Sequence, residues 1–198
     1  MAREEILAEA AATVIPQTRS AEAAGLDDFD ALVREHRARL FRVLYGMLRD
    51  SDAAETLTQE CFLKAYQSRR SFRRECAPGT WLMRIAVNLA RDYIRNRRLA
   101  FWRRLSRTAA EVGEARQVAD AQATPERRLA ARQELAAVWA AAEKLSTQQR
   151  AVFVLRFSED MSLEEIATAT GLSLGTVKTH LSRALGAVRK SLKEQKTR

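Results

Sequence analysis

The sequence predicts an all-α protein: two small helical domains joined by a flexible linker, the second containing a helix-turn-helix. Three observations carry this. Apolar residues recur every three or four positions through several long stretches, the spacing of one helix face. β-branched residues never gather into alternating runs, so strands are not signalled. Chain breakers are scarce, with 7 Gly and 3 Pro in 198 residues, while 46% hydrophobic and 30% charged side chains suffice for a packed core.

Residues 1–25 have no such beat and are expected to be an N-terminal tail. A first domain is expected over 26–99. Its first helix begins at Phe29, with Leu32, Val33, His36, Leu40, Val43, Leu44 and Met47 on one face. A second runs over about 51–68; Ala54, Leu57, Cys61, Phe62 and Ala65 make its core side, and Asp52, Glu55, Gln59 and Glu60 its outer side. RRSFRRECAPG (69–79) lacks periodicity and contains Pro-Gly, which predicts a loop. A third helix is expected over about 80–97.

Residues 100–123 lose the apolar beat and are expected to form the linker, with a transient helix near Phe101-Trp102. The second domain, 124–198, opens at Thr124-Pro125, an N-cap followed by proline in the first helical position, and its first helix reaches Lys144. Ser146 with Gln149, and Ser162 with Glu165, have capping-box spacing. Ser173 caps a last helix that runs to about Gln195.

Net charge is +9, and its distribution is informative. Residues 1–68 carry −4, residues 69–107 carry +10 and residues 108–198 carry +3. A local basic block with interleaved aromatics is the footprint of a polyanion site. Cys61 and Cys76 form no CxxC pair and have no neighbouring His ligands, so they read as free thiols of a reducing cytoplasm. His36 and His180 are far apart and neither looks catalytic. No cofactor, no metal site and no catalytic residue are expected. Glu4, Glu5 and Glu9 interrupt any signal-peptide core. No apolar run approaches the roughly 20 residues of a membrane span. A soluble, cytoplasmic protein is expected.

Two stretches carry the chemistry. In TWLMRIAVNLARDYIRNRR (80–98), Leu82, Ile85, Ala86, Leu89 and Tyr93 share a core face. Trp81, Arg84, Asn88, Arg91 and Arg95 line another, at spacings of three and four. Guanidiniums suit phosphates, Trp81 and nearby Phe72 suit base stacking, and an amide that donates and accepts suits the edge of an unpaired base. This face fits single-stranded nucleic acid. In GLSLGTVKTHLSRAL (171–185), a Gly-containing turn separates a short helix from a longer one, the helix-turn-helix pattern. Val177, Leu181, Leu185, Val188 and Leu192 are its core beat. Ser173 caps it, and Thr176, Lys178, Thr179, Ser182 and Arg183 present a polar, basic face to the major groove of a duplex.

The chain resembles an ECF-type (extracytoplasmic function) sigma factor of bacterial RNA polymerase. SDAAETLTQECFLKAY (51–66) is similar to that family's polymerase-binding helix. SFRRECAPGTWLMRIAVNLARDYIRNRR (71–98) is similar to its promoter-melting segment. LSTQQRAVFVLRFSEDMSLEEIATATGLSLGTVKTHLSRAL (145–185) is similar to its −35-reading domain. The resemblance covers roughly 26–98 and 124–193. It implies a factor that binds core RNA polymerase, recognises −35 and −10 promoter elements and promotes initiation. Asp52, Glu55, Gln59 and Glu60 are the implied polymerase face. Phe72, Trp81, Arg84, Asn88, Arg91 and Arg95 are the implied −10 set. Ser173, Thr176, Lys178, Thr179, Ser182 and Arg183 are the implied −35 set. Thr56 stands where the family usually has Asp. The resemblance also implies an anti-sigma partner, often tethered at the membrane.

The alternative is a stand-alone helix-turn-helix regulator, since GTVKTHLSRAL also resembles the output helix of response regulators. Those carry an α/β receiver, and residues 26–98 hold no alternating strands. An enzyme acting on nucleic acid lacks support, because no carboxylate cluster, His/Cys set or Gly-rich phosphate loop is present.

Overall fold

The computed structural model describes residues 28–105 and 135–196, with side chains described as far as Arg97 in the first stretch and Glu194 in the second. The expected tail, most of the expected linker and the Thr124-Pro125 helix start lie outside the described residues. All regular structure among the described residues is helical. The helices are α1 (Phe29–Leu48), α2 (Ser51–Ser68), α3 (Pro78–Leu105), α4 (135–143), α5 (Thr147–Ser158), α6 (Leu163–Thr170) and α7 (Leu174–Lys196). A 3-10 turn, Arg69–Ser71, follows α2.

Local chemistry sets the boundaries. The Asp28 carboxylate accepts from the Ala31 N–H (2.8 Å) at the start of α1, and Asp50 does the same for Ala53 (3.0 Å) at the start of α2. Each satisfies an amide that has no partner within its helix, an effect worth about 1 kcal/mol. Both expected capping boxes form reciprocally, Ser146 with Gln149 and Ser162 with Glu165. Gly171 ends α6 in the left-handed region at φ +70°, its N–H donating to the Ala167 carbonyl (2.9 Å). Only glycine takes that conformation without strain, so the tight turn of the helix-turn-helix depends on it.

Two boundaries differ from the sequence expectation. Pro78 and Gly79 open α3 instead of closing a loop, because proline's fixed φ and missing N–H cost nothing in the first helical turn. At the other end α3 runs to Leu105, past the expected stop near Arg97. RNRRLAFWRRL holds no Gly or Pro to end it.

Helices α1, α2 and α3 pack together, and α7 packs on α5 and α6. The two groups are not separate. Helix α5 lies against α1, and α6 lies against α3. One apolar core therefore runs from Leu40, Leu44, Met47, Met83 and Val87 on the first side to Val152, Val154, Leu155, Ile166 and Ala169 on the second. A smaller cluster joins Ala141, Ala142 and Leu145 to Phe153, Ala184 and Val188. The extra cover widens the buried stripe of α3. Met83, Val87 and Ala90 are buried besides the expected Leu82, Ala86 and Leu89.

His36 is buried where the first turn of α3 crosses α1. A Cβ added at Gly79 would come 3.0 Å from its ring, so glycine is what lets the helices approach. Its Nδ1 is buried without a hydrogen-bond partner. Burial pushes the imidazole pKa below its ordinary 6.5, Glu35 opposes this, and Arg39 adds to it. The neutral ring is the folded form. The unfolded chain therefore takes up this proton first as pH falls through about 6.5, and stability is lost progressively below that point. Thermal unfolding at about pH 7.5 and about pH 5.5 checks this: the wild type should lose more of its melting temperature over that interval than His36→Gln. Equal losses would show that His36 is not the titrating group.

Candidate nucleic-acid interface

Three polar surfaces contain the residues singled out by sequence. On α2, Asp52 and Gln59 are exposed, and Glu55 and Glu60 are half-buried. The two glutamates are partly neutralised: Glu55 accepts from Arg37 on α1 (2.6 Å), and Glu60 pairs with Lys64 (3.2 Å). Exposed pairs of this kind contribute well under about 1 kcal/mol, so a partner can displace them cheaply. The same face continues into two large apolar side chains, Leu63 (56% exposed) and Tyr66 (47% exposed). Neither was singled out from sequence, although 59, 63 and 66 prolong the same helical spacing. Tyr66 meets Phe29 edge-on, with the Arg69 guanidinium 3.7 Å over its ring.

The second surface is the outer face of α3 with the segment before it. Arg84, Asn88 and Arg95 are exposed, while Trp81 and Arg91 are half-buried. The Phe72 and Trp81 rings pack 4.9 Å apart, tilted by 41°, so one aromatic ledge spans the 72–77 segment and the helix. Trp81 also leans on the central core, and this fixes its ring. Asn88 follows Trp81 by seven residues, two turns along the same stripe. Arg95 pairs with Asp92 (2.9 Å) in an exposed contact that leaves its charge available. Arg91 differs from the others. Its guanidinium makes a long 3.5 Å contact to the Thr170 carbonyl at the end of α6, so it is turned toward the second helical group. The region is strongly basic, with Arg69, Arg70, Arg73 and Arg74 leading into the ledge. Cys76 lies in this segment, half-buried. Cys61 is buried on the inner side of α2, where burial pushes its thiol up to about 12 and its Sγ contacts the Leu82 carbonyl at 3.5 Å.

The third surface is the front of α7. Ser173 caps the helix, accepting from the Thr176 N–H (3.3 Å) and sharing a hydroxyl contact with Thr176 (2.8 Å). The Thr179 hydroxyl donates to the Gly175 carbonyl (2.9 Å). Thr179 has thereby used its proton, and the Ser173–Thr176 contact uses one of that pair's two, so the other remains able to donate to a ligand. Lys178, Ser182 and Arg183 are exposed, Lys178 about one turn before the adjacent Ser182 and Arg183, and they are the main donors this surface offers. Gly175, in the first turn, has nothing within 4 Å of where a Cβ would stand, which leaves the backbone open to a phosphate. Val177 and Ala184 are buried beneath, fixing the helix from behind.

Sequence reasoning missed one arrangement, where α5 ends. Glu159 follows that helix with only 1% of its side-chain surface exposed. Arg39 Nε donates to one oxygen (2.9 Å), and Arg42 spans both through Nε (3.0 Å) and Nη2 (3.2 Å). Both arginines are on α1. Beside this, Arg49 lies over the Tyr45 and Trp139 rings (5.0 and 5.8 Å) and meets Glu143 (3.0 Å). Arg150 donates to the carbonyls of Met47 (2.9 Å), Ala142 (3.1 Å) and Glu143.

The profile of Sigma-70 region 2 matches residues 32–100, and that of Sigma-70 region 4 matches residues 135–188. The chain is similar to the RNA polymerase sigma-H factor of Pseudomonas aeruginosa, with 31% identity over 169 residues, 83% of this chain and 86% of that protein. It is similar to the ECF RNA polymerase sigma factor SigW of Bacillus subtilis, with 31% identity over 170 residues, 85% of this chain and 90% of that one. Among solved structures, the sigma factor RpoE of Bartonella quintana, in complex with the anti-sigma factor NepR, has a TM-score of 0.66 at 23% identity, covering 84% of this chain and 97% of that one. CnrH, in complex with the cytosolic domain of CnrY, gives 0.60 at 24% identity, covering 98% and 99%. At those identities the two structures speak to the fold.

The front of α7 makes a prediction that separates its donors from its capped hydroxyls. On a duplex selected by the protein, Arg183→Ala should cost about 1–3 kcal/mol and relax preference at one position if it reads a base; if it meets phosphate, the loss should be uniform and the salt slope should shrink by about one. Thr179→Ala should cost less than either. Titration of labelled duplexes at several salt concentrations measures all three, and an unchanged Arg183→Ala removes that residue from the surface.

Proposed function

Because the chain belongs to the ECF family of RNA polymerase sigma factors, we propose that it binds core RNA polymerase, recognises the −35 and −10 elements of a promoter and promotes transcription initiation. The observation that carries this reading is the pairing of two unlike surfaces in one chain. The front of α7 offers Lys178, Ser182 and Arg183 in the form a duplex major groove accepts. The face of α3 offers an aromatic ledge, an exposed amide and arginines, in the form unpaired bases accept. A lone duplex-binding regulator has no use for the second surface.

In this reading the outer face of α2 docks on the polymerase. Asp52, Glu55, Gln59 and Glu60 supply its polar contacts, with Leu63 and Tyr66 extending it. The partners are core polymerase, promoter DNA that is duplex at −35 and single-stranded at −10, and an anti-sigma factor. RpoE is in complex with one, NepR. The protein is a cytoplasmic initiation factor with no catalysis of its own. Among the described residues no helix is long and apolar enough to cross a membrane, and no His/Cys/Asp/Glu group is arranged to hold a metal.

The mechanism follows from cost. Taking a base out of a duplex costs a few kcal/mol in lost pairing and stacking. A protein offsets this only through contacts that a paired base cannot make. Stacking on an aromatic ledge supplies about 1–3 kcal/mol per base. The ledge of Phe72 and Trp81 is already assembled, so little side-chain freedom is lost on capture. The Asn88 amide can donate and accept at the exposed edge. Arg84 and Arg95 hold the backbone of the separated strand through phosphate contacts.

Two measurements test this reading. Charge reversal of Glu55 and Glu60 together should weaken capture of core polymerase while circular dichroism stays unchanged; retained capture would take α2 out of the docking surface. Asn88→Ala should leave polymerase binding intact and slow strand opening on a duplex promoter, with a smaller defect on a template whose −10 region is mismatched, because unpairing is then already done. Permanganate footprinting reads opening on both templates, and normal opening of the duplex by Asn88→Ala would eliminate the role.

A further inference from the structure

His36 is buried and titratable, and none of the three polar surfaces uses it, yet it stands under one of them. Its ring presents the Cε1 edge to the first turn of α3: a Cβ added at Gly79 would lie 3.0 Å from Cε1 and 3.6 Å from each ring nitrogen. That edge carries the charge when the imidazole takes a proton. The turn it meets begins at Pro78, and the amides of such a turn have no acceptors within their helix, so they present partial positive charge. A cation there is opposed twice, by burial and by the helix dipole. The charges acting on the ring are few. Glu35 lies 3.9 Å from Nε2 and favours the proton, Arg39 opposes it, and both belong to α1 with His36. Among the described residues no charge of α2 or α3 adds to these. Nδ1 has no hydrogen-bond partner, so no acceptor stands ready for a proton on it.

What the turn carries is the aromatic ledge. Phe72 is tied to the turn that follows α2, its N–H donating to the Arg69 carbonyl (3.3 Å). Trp81 stands on α3, its N–H donating to the Ala77 carbonyl (3.1 Å). The two rings, 4.9 Å apart, therefore join the ends of two helices and stay together only while the first turn of α3 keeps its place. His36, from a third helix, is what that turn rests on through Gly79. Helix ends open at lower cost than cores, so a strain on this turn is felt there before it unfolds the bundle.

We infer that His36 is a positioning residue of the strand-opening face: its neutral ring, seated against Gly79, holds the first turn of α3 where Trp81 meets Phe72, and a proton on that ring unseats the turn and parts the ledge. The sign follows from linkage. As pH falls below the ordinary 6.5 of a histidine, an unseated ring binds a proton that the seated ring refuses, so the unseated form gains. The seat follows from the geometry alone. Its effect on the capture of unpaired bases rests on the function proposed above.

The test reads the ledge first and binding second, on the full chain labelled with 5-fluorotryptophan. In fluorine NMR at about pH 7.5 the Trp81 resonance, assigned by its loss in Trp81→Phe, should be single and sharp; at about pH 5.5 it should shift and broaden, with helix content unchanged by circular dichroism. His36→Gln and His36→Phe cannot take the proton, and each should hold the resonance still over that interval. Gly79→Ala presses on the ring without adding charge and should disturb the resonance already at the higher pH. Over the same interval the affinity of the unlabelled chain for a fluorescent 12-nucleotide oligothymidylate should fall several-fold, and that of the two His36 variants should not fall. A wild-type resonance that stays put, one that moves equally in both His36 variants, one indifferent to Gly79→Ala, or an acid change that removes helix content overturns the seat. If the resonance moves as expected and the affinity does not fall, Arg84→Ala at the higher pH separates the two failures. Lost affinity there leaves the strand-opening face standing and overturns its control by His36; unchanged affinity overturns the face, and the control with it. If one His36 variant loses helix content at the higher pH, the other decides. If both do, the ring is a folding contact and the positioning role is overturned.

Discussion

A carboxylate with almost no access to water sets the terms for this molecule. The donors that reach the buried Glu159 carboxylate, Arg39 and Arg42, belong to a helix more than a hundred residues earlier. Removing an ion from water costs several kcal/mol, and only well-directed hydrogen bonds return it. Arg42 meets both oxygens and Arg39 completes one of them, so the position of α5 on α1 is set by donor geometry as well as by apolar area. The apolar contacts alone would permit sliding, since methyl groups against methyl groups carry little directional information. The Arg39–Glu159–Arg42 cluster therefore helps fix where Val154 falls relative to Gly46 and where α6 falls relative to α3.

The three polar surfaces are built by one device. Each is the outward face of a helix whose inward face is locked in the core. Beneath the α2 face lie Ala54, Leu57 and Cys61; beneath the α3 face lie Leu82, Ala86 and Leu89; beneath the front of α7 lie Val177 and Ala184. Side chains on such helices need lose little further freedom to meet a ligand. The surfaces then differ by chemistry. On α7 the Thr179 proton and one proton of the Ser173–Thr176 pair are spent on the helix itself, which leaves Lys178, Ser182 and Arg183 as the main donors. The α3 face keeps an unencumbered amide beside a preassembled aromatic ledge. One arrangement suits the edges of a closed duplex and the other suits bases already out of it.

Much of this was legible in the sequence because it is local. Both capping boxes, the Ser173 cap, the starts of α1 and α2 and the polar stripes of α2, α3 and α7 follow from spacings of three and four residues, and the structure has them. The resemblance to a known family led to the same surfaces. The rest was not legible for physical reasons. Pro78-Gly79 is a turn signal in isolation, and only the contact of Gly79 with His36 shows why a helix starts there. Met83 and Val87 lie off the expected core stripe of α3 and are buried because a second group covers it. Gly46 reads as a weak point in a helix until Val154 and Trp139 are seen against it. Glu159 reads as an ordinary turn acid, since no local pattern announces partners 117 and 120 residues away.

The charge distribution adds a last constraint on the contact between the two helical groups. The block that serves nucleic acid, residues 69–107, carries +10, and everything after it carries a further +3. Packing the two groups against each other brings net positive charge together, and this repulsion acts over about 8–10 Å at ordinary salt. Attraction to a polyanion and self-repulsion thus have the same source. Stronger basic faces would bind DNA better and pack against each other worse. A buried contact offsets such repulsion better than an exposed one, because salt screens exposed pairs and reaches buried ones far less. The sequence accordingly places one of the acids that join the two groups, Glu159, under the surface, and leaves Glu55 and Glu60 outside, where a partner can displace their pairings with Arg37 and Lys64 at little cost.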